Sequence, residues 1–244
     1  MIRHFILAAV LALSAAGAAQ AANSAKPAPA PVKGAPAAAT AKGDWKEGTN
    51  YFLVVPAQHT SVPAGKVEVT EVFSYGCPFC AKYNPVIQKM RASLPANAKV
   101  TYLPASFSDA EDWPMFQQAY CTAQMLGVAD EAHDRMFEAV WTSGDLAIVD
   151  PGTNRLKRPL PSIEDAARVY HKLTGVSEAK FIATAKSFAV DVKRKADDAL
   201  VVAYHVDQTP TIIVNGKYRV TLSSAGGFDQ LIQLVGWLVA KETH

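Results

Sequence analysis

Cysteine is scarce in this chain, with 3 in 244 residues. That excludes a disulfide-dense secreted scaffold, which needs several bridges to hold a small core. It also counts against a structural zinc site, which takes four ligands and commonly a second Cys-x-x-Cys or a spaced His pair. His59, His133, His171, His205 and His244 stand at no ligand spacing to one another or to a cysteine, so no metal is expected. An excess of either charge is lacking too. With 24 Lys and Arg against 22 Asp and Glu, nothing favours nucleic acid or an anionic membrane surface. Beyond the first residues no apolar run is long enough to cross a bilayer, and there is no internal repeat.

The N-terminus reads as an export signal. Arg3 and His4 form a short basic start, Phe5 to Leu13 an apolar stretch too short to span, and Ala19-Gln20-Ala21 a small-x-small cleavage site. Residues 1–21 are therefore expected to be a signal peptide directing the chain to the periplasm, where disulfides persist. No cysteine sits near the cleavage site, so a lipid anchor is not expected. Residues 22–44 are Ala, Pro, Lys and Gly with almost no large apolar side chain, and are expected to be a disordered tether. Residues 45–244 are enough for one domain carrying an insertion.

Cys77-Pro78-Phe79-Cys80 is the pattern with the most chemistry in it. Thiol exchange runs by attack of a thiolate on a disulfide sulfur, through a mixed disulfide that a second thiol resolves. Two thiols at this spacing supply both. Spacing alone leaves a redox pair, a structural staple and a metal-ligand pair open, and no His follows Cys80 as covalent haem requires. Position narrows the choice. Lys66 to Phe73 is rich in β-branched residues and predicts a strand, while Val86, Ile87, Met90 and Leu94 share one face of a following helix that Pro85 should kink. Cys77 then falls at a helix N-terminus, where unpaired N–H groups favour a thiolate. That favours redox use, since a staple has no need of such a place.

Further along, Val100 to Leu103 predicts a second strand. Apolar residues recur at helical spacing from Met115 to Trp141, a helix capped by Ser162 runs to Leu173, and Glu178 to about Tyr204 reads as one long or broken helix. Thr211 to Val214 is a short buried strand, Asn215-Gly216 a type I′ turn, Tyr218 to Val220 the returning strand and Phe228 to Lys241 a closing helix. A βαβ half and a ββα half, separated by a helical insertion at about 108–195, give an α/β fold of the thioredoxin type.

The chain resembles the DsbA-type periplasmic thiol:disulfide oxidoreductases. The likeness is carried by Glu71-Val72-Phe73-Ser74-Tyr75-Gly76-Cys77-Pro78-Phe79-Cys80, by Gln208-Thr209-Pro210-Thr211 and by Val214-Asn215-Gly216-Lys217-Tyr218, with the helical insertion between them. The resemblance implies a dithiol oxidase without a bound cofactor. In it Cys77 is the exposed nucleophile, Cys80 resolves the mixed disulfide, and Pro210 is a cis-proline facing the pair, whereas the residues by themselves favour an ordinary turn at Thr209-Pro210 before a strand. Thr209 offers its backbone to an extended substrate. Its substrates are unfolded or newly exported protein thiols, and a membrane quinone-linked partner reoxidises it. Glu71 takes the place of the family's acid beneath the cysteines, a proton acceptor for the buried thiol, on a strand expected to be central; the competing reading is an edge-strand surface Glu beside Glu68. Phe79 and Tyr75 flank the pair and are expected to be exposed apolar contacts for substrate, the competing reading being that they simply pack on the loop.

Two departures from the family pattern matter. Phe79 stands where well-studied members have a His able to stabilise the thiolate, so a weaker oxidant is expected. Tyr102 aligns with a lysine that often pairs with the buried acid, which leaves Glu71 without that partner and with a raised pKa. Cys121 flanks an apolar helix stripe and is expected to be structural. A disulfide isomerase or reductase on the same fold competes with the oxidase reading, although residues 22–44 are too short for the dimerisation domain such isomerases carry. A substrate-binding or chaperone-like module with a merely structural disulfide is a competitor of another class.

Overall fold

Seven consecutive residues, Val67–Phe73, are all buried, which only an interior strand of a sheet covered on both faces explains. This strand, β2, follows a two-residue β1 (Phe52–Leu53) and leads into helix α1 (Pro78–Ser93) and strand β3 (Ala98–Pro104). A 3-10 turn at Asp109–Glu111 opens a helical block: α2 (Trp113–Met125), α3 (Ala129–Trp141), α4 (Ile163–Thr174), α5 (Glu178–Ala185) and α6 (Phe188–Ala203). A small hairpin, β4 (Val149–Asp150) and β5 (Arg155–Leu156), lies between α3 and α4. The chain ends with β6 (Thr211–Val214), β7 (Tyr218–Thr221), one turn of helix α7 (Leu222–Ala225) and α8 (Phe228–Lys241). The structure is a computed structural model and describes residues 43–243; the expected signal peptide (1–21) and nearly all of the expected tether (22–44) lie outside them.

The sheet order is β1-β7-β6-β2-β3, with β2 and β3 parallel and the other neighbours antiparallel. Two apolar cores result. Val67, Val69, Ile212 and Val214 of the sheet pack with Ile87 and Met90 of α1 and Leu234, Val235 and Leu238 of α8. Phe73 and Leu103 join Phe116, Tyr120, Met136, Phe137, Tyr170 and Phe181 of the helical block. The insertion is thus tied to the sheet at the end where β2 delivers the cysteines.

The strands and helices agree with the sequence reading in kind and order, with differences that have local causes. The span from Met115 to Trp141 is two helices, broken where Gly127 adopts φ +73°. The span from Glu178 is broken at Lys186–Ser187, where Ser187 caps α6 by accepting a hydrogen bond from the Val190 N–H. The insertion has no structural end at residue 195, because α6 continues to Ala203. Ser162 caps α4 in a capping box with Asp165. Asn215 and Gly216 both have positive φ, as a type I′ turn demands. Helix α1 continues through Pro85.

Candidate active site

The turn from β2 into α1 is held from three sides. The Cys77 N–H donates to the Ser74 carbonyl at 3.1 Å, the Gly76 N–H to Ser74 Oγ at 3.2 Å, and the Trp141 indole N–H to the Tyr75 carbonyl at 2.8 Å. Gly76 lies against Trp113: a Cβ there would sit 2.7 Å from its ring and 2.9 Å from the Glu111 carbonyl. Backbone cannot yield like a flexible side chain. Gly76→Ala is expected to cost about 1–3 kcal/mol, read as a lower midpoint in urea without loss of slope.

Cys77 is the N-cap of α1, and its Sγ accepts the Cys80 N–H at 3.3 Å. On its other side Sγ is 3.6 Å from the Thr209 carbonyl, in the loop whose Thr209–Pro210 bond is cis. All three cysteines are free thiols in this structure. The Cys80 thiol, hydrogen-bonded to Cys77, does most to lower the Cys77 pKa. Burial opposes it, and Thr209 and the backbone N–H groups of Cys80 and Phe79 assist, bringing the value from 9.0 to about 6. Cys80 is driven the other way, first by burial and then by the Cys77 sulfur. The pair therefore holds one thiolate and one thiol. Sequence reasoning placed the weight on the helix N-terminus; the partner cysteine contributes more.

Two expectations about exposure are corrected. Cys77 is only 3% exposed rather than open to solvent, since the Thr209 loop lies over its sulfur. Tyr75 is 1% exposed and is no surface contact. The turn aims it inward, where its hydroxyl meets His133 Nδ1 at 3.1 Å and its ring packs on Phe73 and Phe137, both at 5.0 Å. Phe79 is the exposed aromatic, at 59%. It stacks on Tyr83, which packs on Phe228 at 4.9 Å, so an aromatic row leads from the cysteines to α8. Beside it Val86, Pro210, Leu222 and Leu231 line a small apolar hollow. Tyr83 was open to detection as the i+4 neighbour of Phe79 on a helix; Phe228, distant in sequence, was not.

Glu71 is on an interior strand, not an edge, and is fully buried with no hydrogen-bond partner on either carboxylate oxygen. Its neighbour Glu68 is buried too and accepts from Ser61. Burial first, then the nearby Asp134 carboxylate and the Cys77 sulfur, raise the Glu71 pKa from 4.5 to about 8 against a smaller pull from Arg91. Tyr102 lies directly opposite Glu71 in the β2–β3 pairing. Its hydroxyl accepts from Arg91 at 2.8 Å, and Arg91 also donates to Asp134 at 3.1 Å. Sequence reasoning found neither Arg91 nor Asp134. Cys121 is not brought to the pair; it is buried in the helical block, its thiol donating to Asp197 at 3.2 Å. Among the described residues no group of His, Cys, Asp and Glu is arranged to hold a metal.

A free cysteine pair at a helix N-terminus, one thiol lowered and one raised, on a five-stranded mixed sheet with a facing cis-proline, defines a thiol:disulfide oxidoreductase of the thioredoxin fold. A family model described as thioredoxin matches residues 59–233. The thiol:disulfide interchange protein DsbA of Pseudomonas aeruginosa is 33% identical over 199 residues, 82% of this chain and 86% of that protein. The crystal structure of Pseudomonas aeruginosa DsbA covers 82% of this chain and 95% of its own at a TM-score of 0.67 and 33% identity. The oxidoreductase DsbA from Xylella fastidiosa covers 80% and 96% at 0.68 and 31%. The chain belongs to the DsbA family of thiol:disulfide oxidoreductases, and its chemistry is exchange with the thiols of substrate.

Proposed function

We propose that the chain works in the periplasm, exported by residues 1–21, and donates a Cys77–Cys80 disulfide to newly exported proteins. A substrate thiolate attacks Cys77, and Cys80 leaves and takes up a proton. A second substrate thiolate then attacks the substrate sulfur of the mixed disulfide and releases Cys77 as a thiolate. The observation that carries this reading is the unequal pair: Cys77 is held as a good leaving group while Cys80 is held as a thiol. The Thr209 carbonyl borders the sulfur, and Thr209 and Pro210 are assigned to an extended substrate segment, whose apolar side chains would lie on Phe79 and the aromatic row behind it. Glu71 is assigned as the proton partner of Cys80. A membrane quinone-linked protein is the proposed reoxidant. With Phe79 in place of an imidazole, the protein is a weaker oxidant than His-containing relatives.

The test is the thiolate absorbance of the reduced protein against pH. A midpoint near 6 is expected, against about 8.5 for a free cysteine. A midpoint at the free value removes the driving force for donation and with it the oxidase reading.

A further inference from the structure

Three elements meet over Glu71, and each brings a polar group. Tyr102 of β3 stands beside it in the parallel pairing, so both side chains leave the same face of the sheet. Arg91, in the last turn of α1, donates one guanidinium N–H to the Tyr102 hydroxyl at 2.8 Å and another to Asp134 of α3 at 3.1 Å. His133, next to Asp134, lies over the Tyr102 ring with centroids 3.8 Å apart. Both Glu71 carboxylate oxygens, Asp134 Oδ1 and His133 Nε2 are buried without a protein hydrogen-bond partner. Buried polar atoms are normally paired, so a cluster of four marks a place kept polar for a reason other than packing.

We propose that Arg91 and Asp134 are positioning residues that together set the proton affinity of Glu71, and so the pH at which Cys80 gives up or takes its proton. The inference rests on the reading of Glu71 as the proton partner of Cys80. Titratable groups face Glu71 from three elements. From the start of α1 come Cys77 and Cys80, from its end Arg91, from β3 Tyr102, and from α3 His133 and Asp134; the β6 register partner is Ile212 and brings none. Burial keeps His133 neutral, its pKa pushed down to about 3, and keeps Tyr102 neutral by pushing its pKa up. The fixed charges that act on Glu71 are then Asp134, which favours its protonated form, and Arg91, which favours its carboxylate. They are two ends of one ion pair.

Substrate thiolate attacks Cys77 Sγ, the Cys77–Cys80 bond breaks, and its electron pair goes to Cys80 Sγ. The protonated Glu71 gives its proton to that sulfur and is left as a carboxylate. The second substrate thiolate closes the substrate disulfide and expels Cys77 as a thiolate, so two electrons pass from substrate to the enzyme pair. Glu71 recovers a proton from solvent. In reoxidation the same proton travels back from Cys80 through Glu71. A proton affinity near neutrality serves both directions, and a charge pair with one member pulling each way can hold it there.

The test uses the fact that both variants break the same ion pair. If the pair is only structural, Asp134→Asn and Arg91→Gln change behaviour in the same direction. If it tunes Glu71, they act oppositely. The infrared carbonyl band of the buried protonated carboxyl is followed against pH in the reduced full chain, with Glu71→Gln identifying the band. Asp134→Asn is expected to move its midpoint down and Arg91→Gln to move it up, each by about 0.5–1 unit, less than a direct charge contact gives because both side chains are partly exposed. The rate at which Cys80 expels glutathione from Cys77 should show the same opposite shifts in its pH profile. Shifts of one sign, or none, overturn the proposal while leaving Glu71 its role. A band that survives Glu71→Gln overturns both. The partial exposure of Arg91 and Asp134 lets the variants fold, and Arg91→Lys, which keeps the charge, should keep the midpoint near that of the parent.

Discussion

Cys77→Ser is expected to remain folded and to lose dithiol oxidation by on the order of 10³-fold or more, to the background of uncatalysed exchange. The size of the loss follows from the division of labour between the two sulfurs. Cys77 alone combines a lowered pKa with a place beside the Thr209 loop; Cys80 is fully buried with a raised pKa, so it exchanges with Cys77 from within and cannot take over as the sulfur that meets substrate. Folding should survive because serine keeps an N-cap oxygen able to accept the Cys80 N–H that sulfur accepts now. Cys80→Ser fails differently. The Cys77 thiolate still forms, though its pKa rises toward the free value once its largest support is gone, and adducts with thiols accumulate because nothing resolves them. Turnover of a reduced model substrate, with mass spectrometry for the adduct, separates the two. A protein that bound its clients and used the disulfide as a brace would keep its activity in both variants, and that result would end the redox assignment.

The parts of this site that could be read from sequence are those written locally. The β-branched run of β2, the Cys-x-x-Cys after it and the apolar face of α1 are contiguous, so the helix-capping position of Cys77 followed from order alone. The Asn215-Gly216 turn and the ends of α8 were equally local. Strand β1 was not, because two residues become a strand only through pairing with β7. The break before α6 carries neither Gly nor Pro, only a capping serine within a continuous helical pattern. Tyr75 shows the limit at the site itself. Its place two residues before Cys77 could not say which way the turn would aim it, and the aromatic groups that draw it inward, Phe137 and His133, lie some sixty residues away. Arg91 and Asp134 meet across 43 positions and leave no trace in either local pattern.

Glu71→Gln should stabilise the protein near neutral pH, an unusual expectation for a residue in the interior. Its folded-state pKa is raised from 4.5 to about 8. A group shifted upward contributes stability that is fully present below its unfolded pKa and is lost as pH rises through the folded value, because the unfolded chain ionises freely while the native one cannot. Between pH 4.5 and pH 8 the carboxyl therefore weighs increasingly against the native state, by about 3 kcal/mol at pH 7. Glutamine has the same shape and no proton to lose. The variant should match the parent below pH 4.5 and exceed it at pH 7, by roughly 6–12 °C in melting temperature for a domain of this size. The Cys77 thiolate works in the opposite sense, since its pKa is lowered: its contribution is present above about 9 and is lost as pH falls through about 6. Comparing the two chains at each pH cancels most of that term, because both carry Cys77; what remains is the repulsion between Glu71 and the Cys77 sulfur, which is itself part of what raises the Glu71 pKa. A stability difference that does not change from pH 4 to pH 8 would show that the carboxyl ionises as readily folded as unfolded. If the difference grows with pH while glutamine also slows proton delivery to Cys80, the acid is retained at the expense of stability because exchange requires it.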